Sequence, residues 1–264
     1  MEIPVETWYE AIFLRRSRRK YKPDTLPEDK LGHLSSVCQN FRPFPEARVV
    51  LVNEEGGRVY RGFVGSYGKI ENAPGYIAFI GDMDSSRVQE AVGYTGQGIV
   101  LEATSLGLGT CWVGGYFYPD TVARQIVVDK NERVLAVTPF GYPRDTISFQ
   151  EKLMTGFGYM HRRKRLKEMV TGTPRQDWMK TALEAARLAP SAVNRQPWRF
   201  SLGENSISID VDKSRDTYKI ARRLDCGIAM LHLELGARYS GIIGRWTFPP
   251  DSVACFVGEP SRRT

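Results

Sequence analysis

The sequence predicts an α+β fold made of two duplicated halves, each with a central mixed or antiparallel sheet flanked by helices. Three observations carry this. A cluster of basic residues occurs twice, as Arg15, Arg16, Arg18, Arg19, Lys20 and Lys22 and again as Arg162, Arg163, Lys164, Arg165 and Lys167. Behind each cluster the same punctuation follows: a proline turn, a helix, a strand and a long small-residue helix. Each long helix then reaches a glycine stop, a tryptophan and a closing Gly-x-Pro triplet, at Gly141-Tyr142-Pro143 in one half and Gly258-Glu259-Pro260 in the other.

The elements of the first half follow in order. An N-terminal helical segment holds Trp8, Ala11, Ile12 and Leu14 and ends in the first basic cluster. Leu26-Pro27-Glu28-Asp29 opens a helix over 28–38, because proline suits a first turn whose N–H has no partner. Residues 48–52, Arg-Val-Val-Leu-Val, read as a strand. The spacing then predicts a buried helix over 87–106, with Gly93, Gly96 and Gly98 allowing close backbone approach. It stops at glycine and enters a strand over 107–112 that carries Trp112. Residues 119–128 form a short helix by their Pro-Asp start, and 134–137 form the last apolar strand.

The second half repeats the plan. Thr173-Pro174 precedes a helix over 175–188, 198–202 is a strand, and 222–240 is a buried helix with Gly227 and Gly236. Residues 241–246 carry Trp246, and 253–257 close on an apolar strand. Trp112 and Gly141 stand 29 residues apart, but Trp246 and Gly258 only 12, so the second copy lacks a counterpart of 119–128. The expected domains are 1–160 and 161–264.

Hydrophobic residues at 42% and charged residues at 25% exclude disorder, collagen and coiled coil for this 264-residue chain. No apolar stretch approaches the ~20 residues of a bilayer span, and the start has neither a basic n-region nor an h-region. A cytoplasmic protein without a membrane partner is expected. Cys38, Cys111, Cys226 and Cys255 form no C-x-x-C pair, and His33, His161 and His232 are isolated, so reduced thiols and no metal site are expected. The net charge of +7 is concentrated in the two basic clusters. Such clusters mean a solvated face or a nucleic-acid footprint, but no nucleic-acid-binding fold accompanies them. Gly93, Gly96 and Gly98 lie within a helix and not at a strand-to-helix turn, which excludes a dinucleotide-binding fingerprint.

Three motifs carry chemistry. Arg15-Arg16-Ser17-Arg18-Arg19 suits phosphate capture, since guanidinium groups bind phosphate bidentately and serine adds a donor. Gly109-Thr110-Cys111-Trp112-Val113-Gly114-Gly115-Tyr116 lets a backbone approach a flat ring, though a tight strand-to-helix turn also accounts for it. Pro190-Ser191-Ala192-Val193-Asn194-Arg195-Gln196-Pro197-Trp198 closes a helix and opens a strand as a rigid turn with polar tips.

Together these motifs resemble the R-R-S-x-R, G-L-G-x-x-W-x-G-G and P-S-x-x-N-x-Q-P-W signatures of nitroreductase-family flavoproteins. The resemblance implies that Arg15, Arg16, Ser17 and Arg19 hold the phosphate and ribityl chain of FMN, with Arg18 and Lys20 facing solvent. It implies that Trp112, Val113, Gly114 and Gly115 pass beside the flavin N5, with a peptide N–H of Gly114 or Gly115 toward it. Pro190, Ser191, Ala192 and Asn194 then lie against the ring. Arg163 and Arg165 either complete the phosphate site or are the second copy's version of the first cluster, and both readings can hold.

In that family FMN sits between two subunits. Here the first copy keeps the arginines and the glycine loop, but has Cys38-Gln39-Asn40-Phe41-Arg42-Pro43-Phe44-Pro45 where its own P-S-x-x-N loop would stand. The second copy keeps 190–198, but has Gly244-Arg245-Trp246-Thr247 in place of the glycine pair. The chain therefore resembles the fused, single-chain type of nitroreductase: an intramolecular pseudo-dimer, monomeric, with one composite site where Ser191 and Asn194 meet Arg15 and Gly114. The implied activity is ping-pong transfer of hydride from NADH or NADPH to FMN and on to a nitroaromatic, a quinone or another flavin. No catalytic side chain is required, because the flavin carries the chemistry. Tyr67, Tyr116 and Phe117 are candidates to stack on the small-molecule acceptor or are plain anchors. The alternative is a flavin-binding protein with little or no turnover.

Overall fold

In the computed structural model, which describes residues 1–54, 58–61, 69–144, 162–213 and 220–260, the apolar segments build two separate sheets. The first contains β1 (Ala47–Val52), β2 (Gly75–Asp82), β3 (Gly109–Thr110) and β4 (Glu132–Gly141), antiparallel in the order β1-β2-β4-β3. In the second, β6 (Trp198–Leu202), β7 (Ser206–Val211), β8 (Ile242–Thr247) and β9 (Ala254–Pro260) run antiparallel in the order β6-β7-β9-β8. Exchanging each strand for its counterpart turns one order into the other, so the duplication is one of topology. A short strand β5 (Val170–Thr171) adds to the second sheet, parallel to β6.

The helices are α1 (Val5–Leu14), α2 (Glu28–Asn40), α3 (Val88–Ser105), α4 (Pro119–Ala123), α5 (Asp177–Arg187) and α6 (Arg222–Tyr239). Both α3 and α6 have 18 residues and are buried along most of their length. They pack on each other reciprocally: a Cβ at Gly93 would overlap the Leu224 carbonyl oxygen, and one at Gly227 would overlap that of Glu90. Such reciprocity is what a local two-fold axis between equal helices produces. Each helix is followed by a glycine at φ +78°, Gly107 or Gly241, where an L side chain would be strained. Gly96 and Gly98 serve differently from the expected backbone contact, since they make room for the rings of Trp112 and Phe79 and of Phe41 and Trp8.

Two differences from the sequence reading matter for the site. The strand expected over 107–112 is regular only at Gly109–Thr110, because Cys111 N–H turns to the Thr138 hydroxyl (2.9 Å) and pairing resumes at Val113 opposite Val137. Trp112 is thereby released toward α3. Second, β2, β5 and β7 were not anticipated. Among the described residues no helix is long and apolar enough to cross a membrane, and the four cysteines are unpaired.

Candidate functional site

Helix α1 ends at Leu14, and the first basic cluster then runs alongside β3. Ser17 bridges Thr110 in parallel fashion, and Arg18 N–H donates to the Thr110 carbonyl (2.7 Å). This turns Arg15 inward, where it is only 8% exposed and, among the described residues, its Nε has no hydrogen-bond partner. Arg163, from the second cluster, is half-buried; it donates to Asn194 Oδ1 (2.9 Å) and to the Leu188 carbonyl (2.9 Å). Burial, then Arg163 and Arg16, push the Arg15 guanidinium down to about 9. Burial, then Arg187 and Arg16, push Arg163 down to about 10. Both are charged at neutral pH. Among the described residues neither has a carboxylate partner, the arrangement that is expensive unless an anion joins it.

The other members of the clusters stand differently. Arg16 is at the surface, donating to the Phe13 and Arg15 carbonyls. Arg18 and Lys20, expected to face solvent, are half-buried: Arg18 lies against Gly109, and Lys20 pairs with Glu71 (3.3 Å). Parallel pairing with Thr110 and Glu71 lays the cluster flat on the first half, which is why they are covered. Arg19 is half-buried, its carbonyl accepting from Glu71 N–H (2.9 Å). Arg165 is 64% exposed and engages Glu168 (2.7 Å).

The loop joining α5 to β6 holds three non-glycine residues in the left-handed region, Val193 (φ 48°), Asn194 (φ 55°) and Gln196 (φ 47°). A β-branched residue there is strained, so the surroundings must hold it. Gln196 N–H donates to Ser191 Oγ (2.9 Å), and Lys164 N–H donates to Gln196 Oε1 (2.8 Å). Asp225 accepts from Ala192 N–H (3.0 Å) and from Arg195 Nε (2.6 Å). Pro190 and Gln196 are buried. The polar groups thus turn inward. Among the described residues no hydrogen bond joins Ser191 or Asn194 to Arg15 or Gly114; Asn194 reaches the cationic centre through Arg163.

On the glycine-loop side Val113 is buried and exchanges backbone hydrogen bonds with Val137 (2.8 and 2.9 Å). Trp112 Nε1–H donates to Gln97 Oε1 (3.0 Å), placing the first-half loop in contact with α3. The Gln97 amide nitrogen is 2.8 Å from His232 Nε2, and His232 Nδ1 is 3.0 Å from the Ala185 carbonyl. A carbonyl only accepts, so Nδ1 carries the proton and Nε2 accepts from Gln97. Burial, aided by Arg15 and Arg163 and opposed by the Ala185 hydrogen bond, pushes His232 down to about 3, so it is neutral. The chain Trp112, Gln97, His232, Ala185 crosses from one half to the other. Sequence reasoning missed Gln97 and His232, which stand among other buried polar residues of the two long helices, such as Glu90, Glu102, Asp225 and Glu234, and carry no signal of their own in the sequence. Gly114 and Gly115 face Ile220 of the second half, at 3.3 and 3.5 Å from where their Cβ atoms would stand. Tyr116 is exposed, Phe117 is buried against the first sheet, and Tyr67 lies outside the described residues.

The family model described as "Putative TM nitroreductase" matches residues 7–237. The chain belongs to this nitroreductase family. Among solved structures, a "putative nitroreductase" from Thermotoga maritima aligns over 96% of this chain and 94% of its own, with TM-score 0.66 and 21% identity, a likeness of fold. An FMN-dependent nitroreductase from Clostridium difficile aligns over 52% of this chain and 87% of its own, at 20% identity and TM-score 0.43. A nitroreductase with bound FMN from Bacteroides fragilis aligns over 52% and 89%, at 17% identity and TM-score 0.41. No curated protein matches significantly. In this nitroreductase-family chain the cationic centre is drawn from both halves: Arg15 and Arg16 come from the segment after α1, Arg163 from the segment before β5.

Proposed function

We propose that the chain is an FMN-dependent NAD(P)H oxidoreductase with one pocket shared between the halves 1–160 and 161–264. The observation that carries this is the buried Arg15 beside the half-buried Arg163, with no carboxylate partner and with Arg15 Nε orphaned among the described residues. A phosphate supplies the missing counter-charge and matches guanidinium geometry. The residues therefore fit the phosphate end of FMN. Arg15 and Arg163 are the primary holders; Arg16, Ser17 and Arg19 line the approach, and Arg165 joins only by leaving Glu168. Trp112, Val113, Gly114 and Gly115 are the proposed contacts on one side of the ring, and Pro190, Ser191, Ala192 and Asn194 those on the other.

When bound, FMN supplies the hydride chemistry, accepting from NADH or NADPH and delivering to a nitroaromatic, a quinone or another flavin. The chain's own residues orient and exclude water. His232 stays neutral and holds Gln97 and Trp112 in one hydrogen-bond sense, and peptide N–H groups of Gly114 and Gly115 are the candidate donors to the reacting edge. Because both halves lie in one chain, a monomer suffices, and its partner is the small-molecule acceptor, with neither nucleic acid nor membrane involved. Four unpaired cysteines accord with a cytoplasmic protein.

The test is to purify the chain, identify the chromophore released on denaturation, and titrate with NADH and NADPH without oxygen. Bound FMN bleached by either donor is expected. A colourless chain that takes up no FMN overturns the reading, and bound FMN that neither donor reduces replaces it with a flavin-binding protein without turnover.

A further inference from the structure

Tyr116 directly follows the glycine pair, and burial alternates along the chain from there. Phe117 is buried against the first sheet, while Tyr116 and Tyr118 on either side of it are each 46% exposed. Residues two apart on an extended segment share a face, so both rings stand on the outer one. The backbone fixes them there. Tyr60 bridges Phe117 in antiparallel fashion, Arg61 N–H donates to the Tyr116 carbonyl (3.1 Å), and Tyr118 N–H donates to the Val59 carbonyl (2.8 Å). The Tyr118 carbonyl in turn accepts from Val122 N–H (3.2 Å) in α4. Across this bridge the exposed Arg61 places its guanidinium over the Tyr118 ring, 5.0 Å from the ring centre.

Arg61 differs from the arginines of the site described above. Stacking on Tyr118 sets the plane of its guanidinium and leaves the N–H edge open, since among the described residues that guanidinium has neither a carboxylate nor a hydrogen-bond partner. Being exposed, it can take an anion that arrives and leaves in each turnover, which the buried Arg15 cannot. It is also close to the candidate pocket. Gly114 is half-buried and Gly115 exposed, so the surface opens at the glycine pair toward Tyr116, and Tyr118 is no more than about 11 Å of extended chain from Gly115.

We propose that Arg61, Tyr116 and Tyr118 form a subsite for the adenosine end of a 2′-phosphorylated dinucleotide, so that the chain takes NADPH in preference to NADH. This rests on the reading of the chain as an NAD(P)H oxidoreductase and names its donor. A dinucleotide whose nicotinamide lies at the glycine pair carries its adenosine outward over the adjoining surface. There Tyr116 offers a ring for adenine to stack on, and Arg61 offers a planar fork for phosphate. The two donors differ only in the 2′-phosphate, and an open arginine selects the phosphorylated one, as a carboxylate on the ribose 2′-hydroxyl selects the other. Tyr118 is a positioning residue that holds the fork.

Adenosine 2′,5′-bisphosphate and 5′-AMP, which differ by the 2′-phosphate alone, are titrated calorimetrically into the full chain with FMN saturating. One equivalent of the bisphosphate is expected, bound about tenfold more tightly than 5′-AMP. Arg61→Gln should abolish that difference and Arg61→Lys restore part of it, while Tyr116→Ala should weaken both nucleotides about tenfold. Arg15→Met should keep the difference, which separates this subsite from the Arg15 centre. Anaerobic reduction of the bound flavin should favour NADPH over NADH about tenfold, and Arg61→Gln should equalise the donors. The melting temperature of each variant checks its folding. Equal affinity for the two nucleotides, displacement of the bisphosphate by FMN, or a preference that survives Arg61→Gln overturns the proposal. The bisphosphate bound in this pattern by a chain that takes up no FMN supports the subsite and sinks the flavin reading alone; bound FMN that both donors reduce equally well does the reverse.

Discussion

At Arg15 the chain buries a guanidinium beside Arg163 and Arg16 with no carboxylate partner among the described residues, so the apoprotein carries a repulsion that the proposed phosphate would relieve. Arg15→Met should therefore move two measurements in opposite directions. Thermal denaturation of the apoprotein should show stabilisation of about 1 kcal/mol or more. Fluorescence titration should show FMN binding weakened by roughly 1.5–3 kcal/mol, about ten- to hundredfold, for a lost charge-assisted bond. A less stable Arg15→Met apoprotein would count against the buried repulsion. His232 gives a second residue-scale expectation. Its folded value of about 3 lies below the ordinary 6.5, so between these values the unfolded chain takes a proton that the folded chain refuses. Stability is thus full above pH 6.5 and falls as the pH drops toward 3, by about 1.4 kcal/mol per unit for this group. Urea denaturation at pH 7 and pH 5 should show a larger loss in the wild type than in His232→Gln, by about 2 kcal/mol; equal losses would exclude the buried histidine as the cause. At this scale sequence singles out residue types but not their partners. Arginines at 15 and 163 and an asparagine at 194 were legible as polar residues set apart from the core, and the structure joins Arg163 to Asn194 and buries Arg15. The Ile220 over Gly114 and the Gln97–His232 contact arise from long-range packing, which spacing does not encode, whereas the Glu168 that engages Arg165 stands only three residues on and was open to a reading by spacing.

The α3–α6 pair is the element on which both halves depend, and its closeness rests on two glycines. Gly93→Ala or Gly227→Ala would drive a methyl into a backbone carbonyl of the facing helix, which only separation of the helices can relieve. Each should destabilise by about 3 kcal/mol or more. Because one separation makes room for both methyls, the double variant should lose clearly less than the sum. Gly32→Ala in α2 is the contrast: nothing lies within 4 Å of its Cβ, and removing a helical glycine should stabilise by roughly 0.5–1 kcal/mol. Chemical denaturation of the four variants reads all of this, and strict additivity of the glycine pair would show that the helices do not share one relaxation. Both long helices were legible within a residue or two, because small residues and a terminal glycine mark a buried helix with a left-handed stop. β2 was not: Gly75–Asp82 is buried on both faces, so it lacks the alternation that identifies a strand. β7 does alternate, and the Gly203-Glu204-Asn205 turn before it was the available signal. The two-residue β5 is held by pairing with β6 and has no sequence pattern of its own.

For the molecule as a whole, the repeated strand order and the reciprocal helix contact describe two half-units joined in one polypeptide of the nitroreductase family. The halves are further tied by the stacked rings of Tyr9 and Tyr239 (4.0 Å, 11°) and by the Arg223–Glu90 ion pair. That arrangement makes a prediction about complementation. Arg15→Ala removes the cation of the first half, and Asn194→Ala removes the hydrogen-bond partner of Arg163 in the second. If the pocket forms within one chain, every chain in a mixture of the two variants carries one defect in its only pocket, and refolding them together restores no FMN binding. If pockets formed between chains, mixed dimers would contain one undamaged pocket, and random pairing would recover roughly a quarter of wild-type FMN capacity. Co-refolding followed by flavin quantification distinguishes these outcomes, with native mass spectrometry checking that the flavin-loaded species is a single chain. Recovery near a quarter would relocate the pocket to a subunit interface and the Arg15–Arg163 centre with it, since Arg163, held by Asn194 of its own half, would then face the Arg15 of another chain.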